Sequence, residues 1–251
     1  MYQTGIVLSG GGARGFSHLG VIQALNEADI YPDCISGTSA GAIAGALYAD
    51  GFKPLEILEI LSKNKRLDLF GFSIPKDGFM EMSGMQKILE KSLRAKSFSE
   101  LKIPLFVAAT NLNEGKIEYF NNGSIVDAVI ASASIPVLFK PHVINKVYYV
   151  DGGVIDNLPV TPLLNNCKRI IGSYVNPIAY QDSFTNMFAI AERVFYLGLE
   201  KELKLKTKKF NLFIEPVELK NYGILDPEKA YEIYEIGYKA TKKVLEQNPL
   251  C

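Results

Sequence analysis

Two short apolar segments near the N-terminus each run directly into a glycine-rich turn and then into a helical pattern. Residues 5–9, GIVLS, precede the loop GGGARG, and residues 34–36, CIS, precede GTSAG. A short apolar run bounded by glycine is typical of a strand that is buried on both faces. Strands of this kind that alternate with helices form a mostly parallel sheet with helices on both sides. The sequence therefore predicts a three-layer α/β/α fold.

The same alternation continues towards the C-terminus, without an internal repeat or an obvious linker. We predict further strands at residues 104–110, 116–120, 147–150, 169–175 and 210–214, and helices at 15–28, 40–50, 54–63, 85–93, 124–132 and 184–206. Pro227 follows Asp226, so we expect Asp226 to cap a last amphipathic helix. Residues 1–251 are predicted to form a single domain whose motif-bearing core spans about 5–160.

Charge and cysteine content argue against several classes of protein. The chain contains 27 basic and 27 acidic residues, so no overall field attracts nucleic acid, and we expect no nucleic-acid partner. Its three cysteines, Cys34, Cys167 and Cys251, have the spacing of neither a disulfide framework nor a metal site. No secretory signal or membrane-spanning run is evident. We expect a cytoplasmic protein, with peripheral contact to a membrane left open.

Residues 37–41, GTSAG, place Ser39 in a G-x-S-x-G pattern between a predicted strand and a predicted helix. In this context a sharp turn lifts the serine to the carboxyl edge of the sheet, and Gly37 and Gly41 leave room for the turn. The first N–H groups of the following helix then point towards the hydroxyl. We predict that Ser39 is a nucleophile. The alternative is that the two glycines only let the helix pack closely, beside an unreactive serine.

The loop SGGGARG also follows a strand and opens a helix. Gly10, Gly12 and Gly15 fit the dinucleotide-binding pattern G-x-G-x-x-G. A dinucleotide site needs an acidic residue at the end of the second strand, but that strand ends in serine and glycine. A P-loop needs a lysine after the glycines that follow the first strand, and none is present there. Beside a nucleophile, the backbone N–H groups of such a loop can stabilise an oxyanion. We favour this role over a nucleotide site or a tight turn without a ligand.

A serine nucleophile needs a base, and here a carboxylate is a better candidate than a histidine. The two histidines are His18, on an apolar helical stripe, and His142, in a predicted loop. Asp151 ends an apolar strand, where partial burial would raise the pKa of its carboxyl group and make it a stronger base. We predict that Asp151 is the base. Asp156 is a nearby alternative that lacks the position at a strand end.

These motifs together resemble the bacterial patatin-like phospholipase family. The loop GGGARG, the turn GTSAG, and the acid followed by Gly152 and Gly153 occur in the order typical of that family. Two further stretches are similar to it: residues 15–21, GFSHLGV, and residues 131–136, ASASIP. In this family serine and aspartate form a dyad without histidine. The resemblance implies that Ser39 attacks a lipid acyl ester, that Asp151 is its base, and that no metal or cofactor takes part.

The resemblance also assigns the oxyanion hole to Gly10, Gly11 and Gly12, with Arg14 beside them. Arg14 then either binds a substrate phosphate or forms an ion pair within the loop. The expected partner is a lipid or another acyl ester. An acyltransferase would have the same motifs, and a binding protein with a vestigial site or a nucleotide-binding oxidoreductase are further alternatives.

Two stretches bear on contact with a lipid surface. Residues 65–83 mix Phe70, Phe72 and Met80 with glycine and proline, and we predict a long loop there. This loop is either a lid or interfacial patch, or a cover over the core. Residues 201–209, KELKLKTKK, either attract anionic lipid or form the solvated face of a helix.

Overall fold

The computed structural model describes residues 1–63, 82–178, 180, 182–184, 187–224 and 226–248. Within these residues eight strands form one sheet, in which each strand of the series β5-β6-β3-β2-β1-β7-β8 is hydrogen-bonded to the next and β4 pairs with β3. The strands are β1 (Tyr2–Leu8), β2 (Cys34–Thr38), β3 (Leu105–Asn111), β4 (Lys116–Phe120), β5 (His142–Ile144), β6 (Val147–Asp151), β7 (Cys167–Ser173) and β8 (Leu212–Ile214). The α-helices are α1 (Phe16–Asn26), α2 (Ala40–Ala49), α3 (Pro54–Ser62), α4 (Ser83–Ser92), α5 (Ile125–Ala133), α6 (Met187–Lys206) and α7 (Ala230–Gln247).

The centre of the sheet is parallel and one side of it is antiparallel. β1 pairs in parallel with β2 and β7, β2 pairs in parallel with β3, and β7 pairs in parallel with β8. β4 and β6 both run antiparallel to β3, and β5 runs antiparallel to β6. The mostly parallel sheet expected from the alternation of strands and helices is present, and an antiparallel extension adjoins it.

Successive residues of β1 enter two hydrophobic clusters on opposite faces of the sheet, because side chains alternate along a strand. Ile6 and Leu8 belong to the larger cluster, which includes residues of α1, α2, α3, α4, α5 and α7. Val7 belongs to the smaller cluster, against which Leu203 of α6 packs. β1 is therefore buried on both faces, which explains its continuous apolar sequence.

Helix α1 is buried around most of its circumference, whereas the sequence predicted a single apolar stripe. All of its residues from Phe16 to Ile22 are buried. The reason is that α7 packs against α1 and covers surface that the sheet does not. At the end of α1, Glu27 accepts a hydrogen bond from the Tyr238 hydroxyl at 2.6 Å and pairs with Lys242 at 3.1 Å, which joins the two helices at the surface.

Most predicted elements are present with ends within about three residues, but two local predictions are wrong. His142, expected in a loop, lies in β5 and pairs with β6. Asp226 does not cap the last helix. Its carboxylate accepts a hydrogen bond from the Gly223 N–H at 3.1 Å, and α7 begins only at Ala230, after a 3₁₀ turn.

The predicted loop at residues 65–83 and the three cysteines are only partly described. Almost all of the predicted loop 65–83, and Cys251, lie outside the described residues, although Ser83 begins α4. Cys34 and Cys167 lie on the two strands that flank β1, and burial raises the pKa of Cys34 to about 12. A thiol with so high a pKa is unreactive, so this pair packs as part of the core.

Within the described part of the chain, no helix combines the length and the apolar character needed to cross a bilayer. A cytoplasmic location and a single domain over residues 1–251 stay predictions from the sequence.

Candidate active site

The pairing of β3 brings Ser39 and Asp151 together. One edge of β3 pairs first with β2, where Thr38 lies opposite Ala108, and then with β6, where Asp151 lies opposite Ala109. The other edge of β3 is occupied by β4. Because β2 runs parallel and β6 antiparallel to β3, the carboxyl ends of β2 and β6 point at each other. Ser39, the residue that follows β2, therefore meets the last residue of β6.

Ser39 stands on a sharp turn between β2 and α2. Its backbone has φ 52° and ψ −119°, a conformation that costs a residue other than glycine on the order of 1–3 kcal/mol. Serine at the start of a helix usually caps it, but the side chain of Ser39 makes no capping hydrogen bond. The hydroxyl instead interacts with the carboxyl group of Asp151 and lowers the pKa of that acid. The turn thus directs the hydroxyl at a carboxylate.

Two glycines allow close packing at the turn, Gly41 against β1 and Gly37 against the start of α2. A Cβ atom on Gly41 would lie 2.3 Å from the carbonyl oxygen of Leu8, and one on Gly37 would lie 2.6 Å from the carbonyl oxygen of Gly41. Both separations are far shorter than a van der Waals contact, so neither position accepts a side chain. The close packing offered above as an alternative explanation is present, together with a serine hydroxyl that contacts a buried acid.

The carboxyl end of α5 and the residue that follows it hold the backbone of Ser39 and Asp151 in place. The Ser39 N–H donates to the Ser132 hydroxyl at 2.8 Å, and that hydroxyl donates to the Ala108 carbonyl at 2.5 Å. The Asp151 N–H donates to the Ser134 carbonyl at 2.9 Å. One short stretch thus supports the serine and the aspartate together, a role that the sequence did not indicate.

Asp151 is almost completely buried, with 4% of its surface exposed. Its carboxylate accepts a hydrogen bond from the Gly153 N–H at 2.7 Å and interacts with the Ser39 hydroxyl. Burial raises the pKa of Asp151 to about 6, and these two interactions offset the shift only in part. A carboxylate of this pKa is ionised at neutral pH and accepts a proton more readily than an ordinary aspartate.

Asp156, the alternative acid, has other partners. Its carboxylate accepts a hydrogen bond from the Tyr119 hydroxyl at 2.6 Å and pairs with Lys206 at 2.5 Å, and both charged groups are buried. Asp156 therefore joins the end of α6 to the loop after β6. Lys206 belongs to the basic run 201–209, so the expectation that this run forms a solvated face is wrong at this position.

Within the described residues, both histidines form hydrogen bonds with groups other than Ser39. His18 is completely buried: its Nε2–H donates to the Ser9 carbonyl at 2.8 Å, which leaves Nδ1 to accept from the Ser173 hydroxyl at 2.8 Å. Burial lowers the pKa of His18 to about 4, against a smaller opposite effect of the Ser9 bond. His142 contacts Asp127 at 3.0 Å. His18 is therefore neutral and fully hydrogen-bonded, and it packs α1 against the start of the glycine loop.

The glycine loop lies beside the serine, and its three N–H groups differ. A Cβ atom on Gly10 would lie 3.2 Å from the Ser39 Cβ, and the Gly10 N–H already donates to the Asn157 carbonyl at 3.2 Å. The N–H groups of Gly11 and Gly12 have no acceptor among the described residues. Gly12 has φ 55°, a conformation that favours glycine. The donors available to a ligand beside Ser39 are therefore those of Gly11 and Gly12.

Two buried asparagines hold this loop, and sequence reasoning missed both. Asn176 Nδ2 donates to the Gly10 carbonyl at 2.6 Å, and the Asn157 carbonyl accepts the N–H of the same glycine. Asn157 Nδ2 and Asn176 Oδ1 are buried without a hydrogen-bond partner in the described chain. Asn176 follows β7 at the carboxyl edge of the parallel sheet, where ligand sites of such folds lie, and that position was the available signal.

Among the described residues, Arg14 has no partner for the ion pair that is one of its two expected roles. Its Nε–H donates to the Tyr222 carbonyl at 2.7 Å, and among the residues described here it pairs with no carboxylate. The side chain is half-buried. Arg14 thus anchors the glycine loop to the segment that precedes α7, and a role in phosphate binding stays a prediction.

An apolar cavity of about 90 Å³ adjoins Ser39. Its wall is formed by helix and loop residues such as Ile43, Ala44, Phe139 and Ile224, and no charged side chain is among the described lining residues. An uncharged, apolar space beside a hydroxyl is suited to a hydrocarbon chain.

The described residues give no support to a metal or nucleotide site. Within them no group of three His, Cys, Asp or Glu side chains is placed to hold a metal ion. β2 ends at Thr38, with no acid there to bind a ribose, and the glycine loop faces the apolar cavity through Gly12.

A parallel sheet with a strained serine between strand and helix, facing a buried aspartate and a glycine loop, defines an α/β protein of the nucleophile-elbow class. The sequence profile of the patatin-like phospholipase family matches residues 6–164, more than half of the chain. The chain belongs to this family, as its motifs indicated.

Curated relatives and a solved structure agree with this assignment. The protein named Lysophospholipase NTE1 is 31% identical in Kluyveromyces lactis and 30% identical in Candida glabrata, each over 93% of this chain. The chain spans only 18% and 15% of the length of those two proteins. VipD from Legionella pneumophila has a TM-score of 0.57 at 18% identity, over 98% of this chain and 67% of that one. The predicted patatin-like α/β/α fold is confirmed.

Proposed function

We propose that this chain hydrolyses a lipid acyl ester through a Ser39 acyl-enzyme, with Asp151 as the base. The observation that supports it most is the interaction of the Ser39 hydroxyl with a buried carboxylate whose pKa is about 6. A base beside the nucleophile needs no histidine between them. The matched relatives are named as lysophospholipases, which favours a lipid with one acyl chain as substrate.

The proposed reaction proceeds in two steps. Asp151 takes the proton from Ser39 as the serine oxygen attacks the ester carbonyl carbon, and it then donates that proton to the leaving alcohol. Water next attacks the acyl-enzyme, with Asp151 accepting the proton of the water and returning it to Ser39. The N–H groups of Gly11 and Gly12 are the proposed donors to the oxyanion of each tetrahedral intermediate.

The apolar cavity is the proposed site of the acyl chain. Ala44 lies four residues after Ala40 on α2, so both side chains are on one face of the helix and line the cavity together. We expect Ala44→Leu to fill part of the space and to lower kcat/KM for a long-chain p-nitrophenyl ester about tenfold or more. The acetyl ester should be hydrolysed at nearly the wild-type rate.

The ratio of the two kcat/KM values within one preparation is the measurement, because any inactive fraction of the protein cancels. Equal losses on the long and the short ester would show that the substitution disturbs the fold of α2 and that the acyl chain binds elsewhere.

Asn176 is the residue whose loss tests the oxyanion assignment most directly, because it holds Gly10 and belongs to no catalytic pair. Asn176→Ala should lower kcat at least about tenfold with a smaller change in KM, since misplaced N–H groups stabilise the transition state less well. Asn166→Ala is the matched control. Its side chain also donates to a backbone carbonyl, that of Pro162 at 2.8 Å, but on the surface. A folded Asn176→Ala protein with full kcat would contradict the oxyanion role of this loop.

Product analysis tests the function itself. Incubation with a lysophosphatidylcholine should release one fatty acid per substrate, and a fluorophosphonate probe should label Ser39. An acyltransferase would move the acyl group to a second lysolipid and form a diacyl product, whereas a vestigial binding protein would give neither product nor label. No observation favours one of these alternatives over hydrolysis.

A further inference from the structure

Helix α6 exposes a row of large apolar side chains. Met187, Ile190, Val194, Leu197 and Leu205 are 84%, 49%, 62%, 46% and 65% exposed. Their spacings of three, four, three and eight residues place them on one face of an α-helix. From first to last these five residues, here called the apolar row, extend over about 27 Å at a rise of 1.5 Å per residue.

The apolar row faces away from the rest of the described protein. On the other side of α6, Leu203 packs against the smaller hydrophobic cluster and Lys206 is buried in its pair with Asp156. At about 100° per residue, Leu203 and Lys206 both lie roughly 150° around the helix axis from the centre of the row. The helix is therefore held to the protein by one side of its last turns and presents the row on the opposite side.

The carboxyl end of this helix is basic. Residues 187–209 contain six Lys and Arg residues and three Glu residues, and since Asp156 neutralises Lys206, the segment keeps a net charge of +2 in a chain whose net charge is zero. Lys204, Lys208 and Lys209 are exposed. A helix with an apolar row and basic residues is typical of helices that lie in the interface of an anionic membrane. The positive charge therefore favours an anionic lipid surface as the occupant of the row.

We propose that α6 docks this protein on an anionic lipid surface, with the apolar row among the upper acyl carbons and the lysines of its carboxyl end at the headgroup phosphates. The Lys206–Asp156 pair joins the docked helix to the loop that follows Asp151. Docking thus keeps the candidate active site near the surface. The proposal does not rest on turnover by Ser39, because binding is measured without it.

Binding of the Ser39→Ala protein to sedimented vesicles tests the proposal, since this background leaves the lipids unhydrolysed. We expect stronger binding to a phosphatidylcholine–phosphatidylglycerol mixture than to phosphatidylcholine alone. Val194→Ser combined with Leu197→Ser should weaken binding to the mixture at least about tenfold, because two large apolar contacts with lipid are lost. Leu55→Ser on α3 removes a leucine that is 48% exposed, close to the 46% of Leu197, and should leave binding unchanged.

The charge of the helix end is tested separately. Lys208→Gln combined with Lys209→Gln should weaken binding to the anionic vesicles and remove much of its salt dependence, without effect on phosphatidylcholine vesicles. Circular dichroism and the thermal midpoint check that each variant is folded. Met187→Ser, at the opposite end of the row from the basic residues, is a second apolar variant for which the same weakening is expected.

Three results would overturn the proposal. The first is equal binding to the neutral and the anionic vesicles, or none to either. The second is an equal loss of binding to the anionic vesicles in the single variants Leu197→Ser and Leu55→Ser. The third is a dimer in size-exclusion chromatography that Val194→Ser with Leu197→Ser converts to a monomer while vesicle binding is retained, since the row would then be the contact between two copies of this chain.

Discussion

Replacement of Ser39 by alanine is expected to abolish both fluorophosphonate labelling and the turnover of p-nitrophenyl esters. The variant lacks the oxygen that would form the acyl-enzyme, and loss of the nucleophile costs a serine hydrolase on the order of 10⁶ in kcat. The protein should stay folded, because the turn is held through the Ser39 backbone N–H, which donates to Ser132. Labelling is read by gel fluorescence and turnover by the release of p-nitrophenol.

Ser36→Ala is the matched control for this experiment. Ser36 lies in β2 three residues before Ser39, and its buried hydroxyl has no hydrogen-bond partner among the described residues. Its removal should leave labelling and turnover intact. If the Ser39→Ala protein were labelled at the wild-type rate, the nucleophile would be a different residue and the proposed reaction would have to be withdrawn.

Local sequence patterns were sufficient to predict the elements around the candidate site. The apolar runs that end in glycine predicted β1 and β2, and the pattern G-x-S-x-G predicted the turn at Ser39. These features depend on neighbours in the chain: a buried strand needs an apolar run, and a turn packed against a carbonyl oxygen needs glycine. For this reason such strands and turns can be predicted from a single sequence.

The direction of β6 could not be predicted from the sequence, although it decides which residues meet at the candidate site. The sequence placed Asp151 at the end of a strand and predicted a mostly parallel sheet. Asp151 instead ends an antiparallel strand that meets β2 head to head along β3. Strand direction depends on the connection through α5 and β5, and no residue of β6 encodes it.

Single polar residues that act across long sequence separations were also missed. Ser132 contacts the backbone of Ser39, and Asn176 contacts Gly10, at separations of 93 and 166 residues. Lys206 appears in the sequence as one member of a basic run, yet it is buried against Asp156. Such contacts follow from the packing of whole elements, so composition and periodicity do not indicate them.

Asp151→Asn is expected to lower kcat by about 10²–10⁴, the usual contribution of a general base. An amide of the same size can contact Ser39 but cannot accept its proton. In the wild-type protein kcat/KM should rise as the pH passes about 6, where the carboxyl group of Asp151 ionises, and should then stay level. The variant should show no such rise, and initial rates between pH 4.5 and 8 measure both effects.

The same substitution is expected to stabilise the fold at neutral pH. Folding raises the pKa of Asp151 from 3.8 to about 6, so the folded state binds this proton more tightly than the unfolded state does. The contribution of this bound proton to the free energy of unfolding is fully present below about pH 4 and is lost as the pH rises through about 6. Above that pH a shift of about two units corresponds to about 3 kcal/mol against folding, a cost that an uncharged asparagine avoids.

Urea unfolding of the two proteins at pH 4.5 and at pH 8 measures this difference. We expect Asp151→Asn to gain most of its advantage at pH 8, because the wild-type carboxylate is charged there. The amide oxygen can still accept the hydrogen bond from Gly153 at either pH. Asp156→Asn is the contrasting control. It removes the charge that pairs with buried Lys206 and should destabilise the protein by a few kcal/mol at pH 8. An Asp151→Asn protein that is inactive and also less stable at pH 8 would show that Asp151 supports the structure, and its assignment as the base would lose its physical basis.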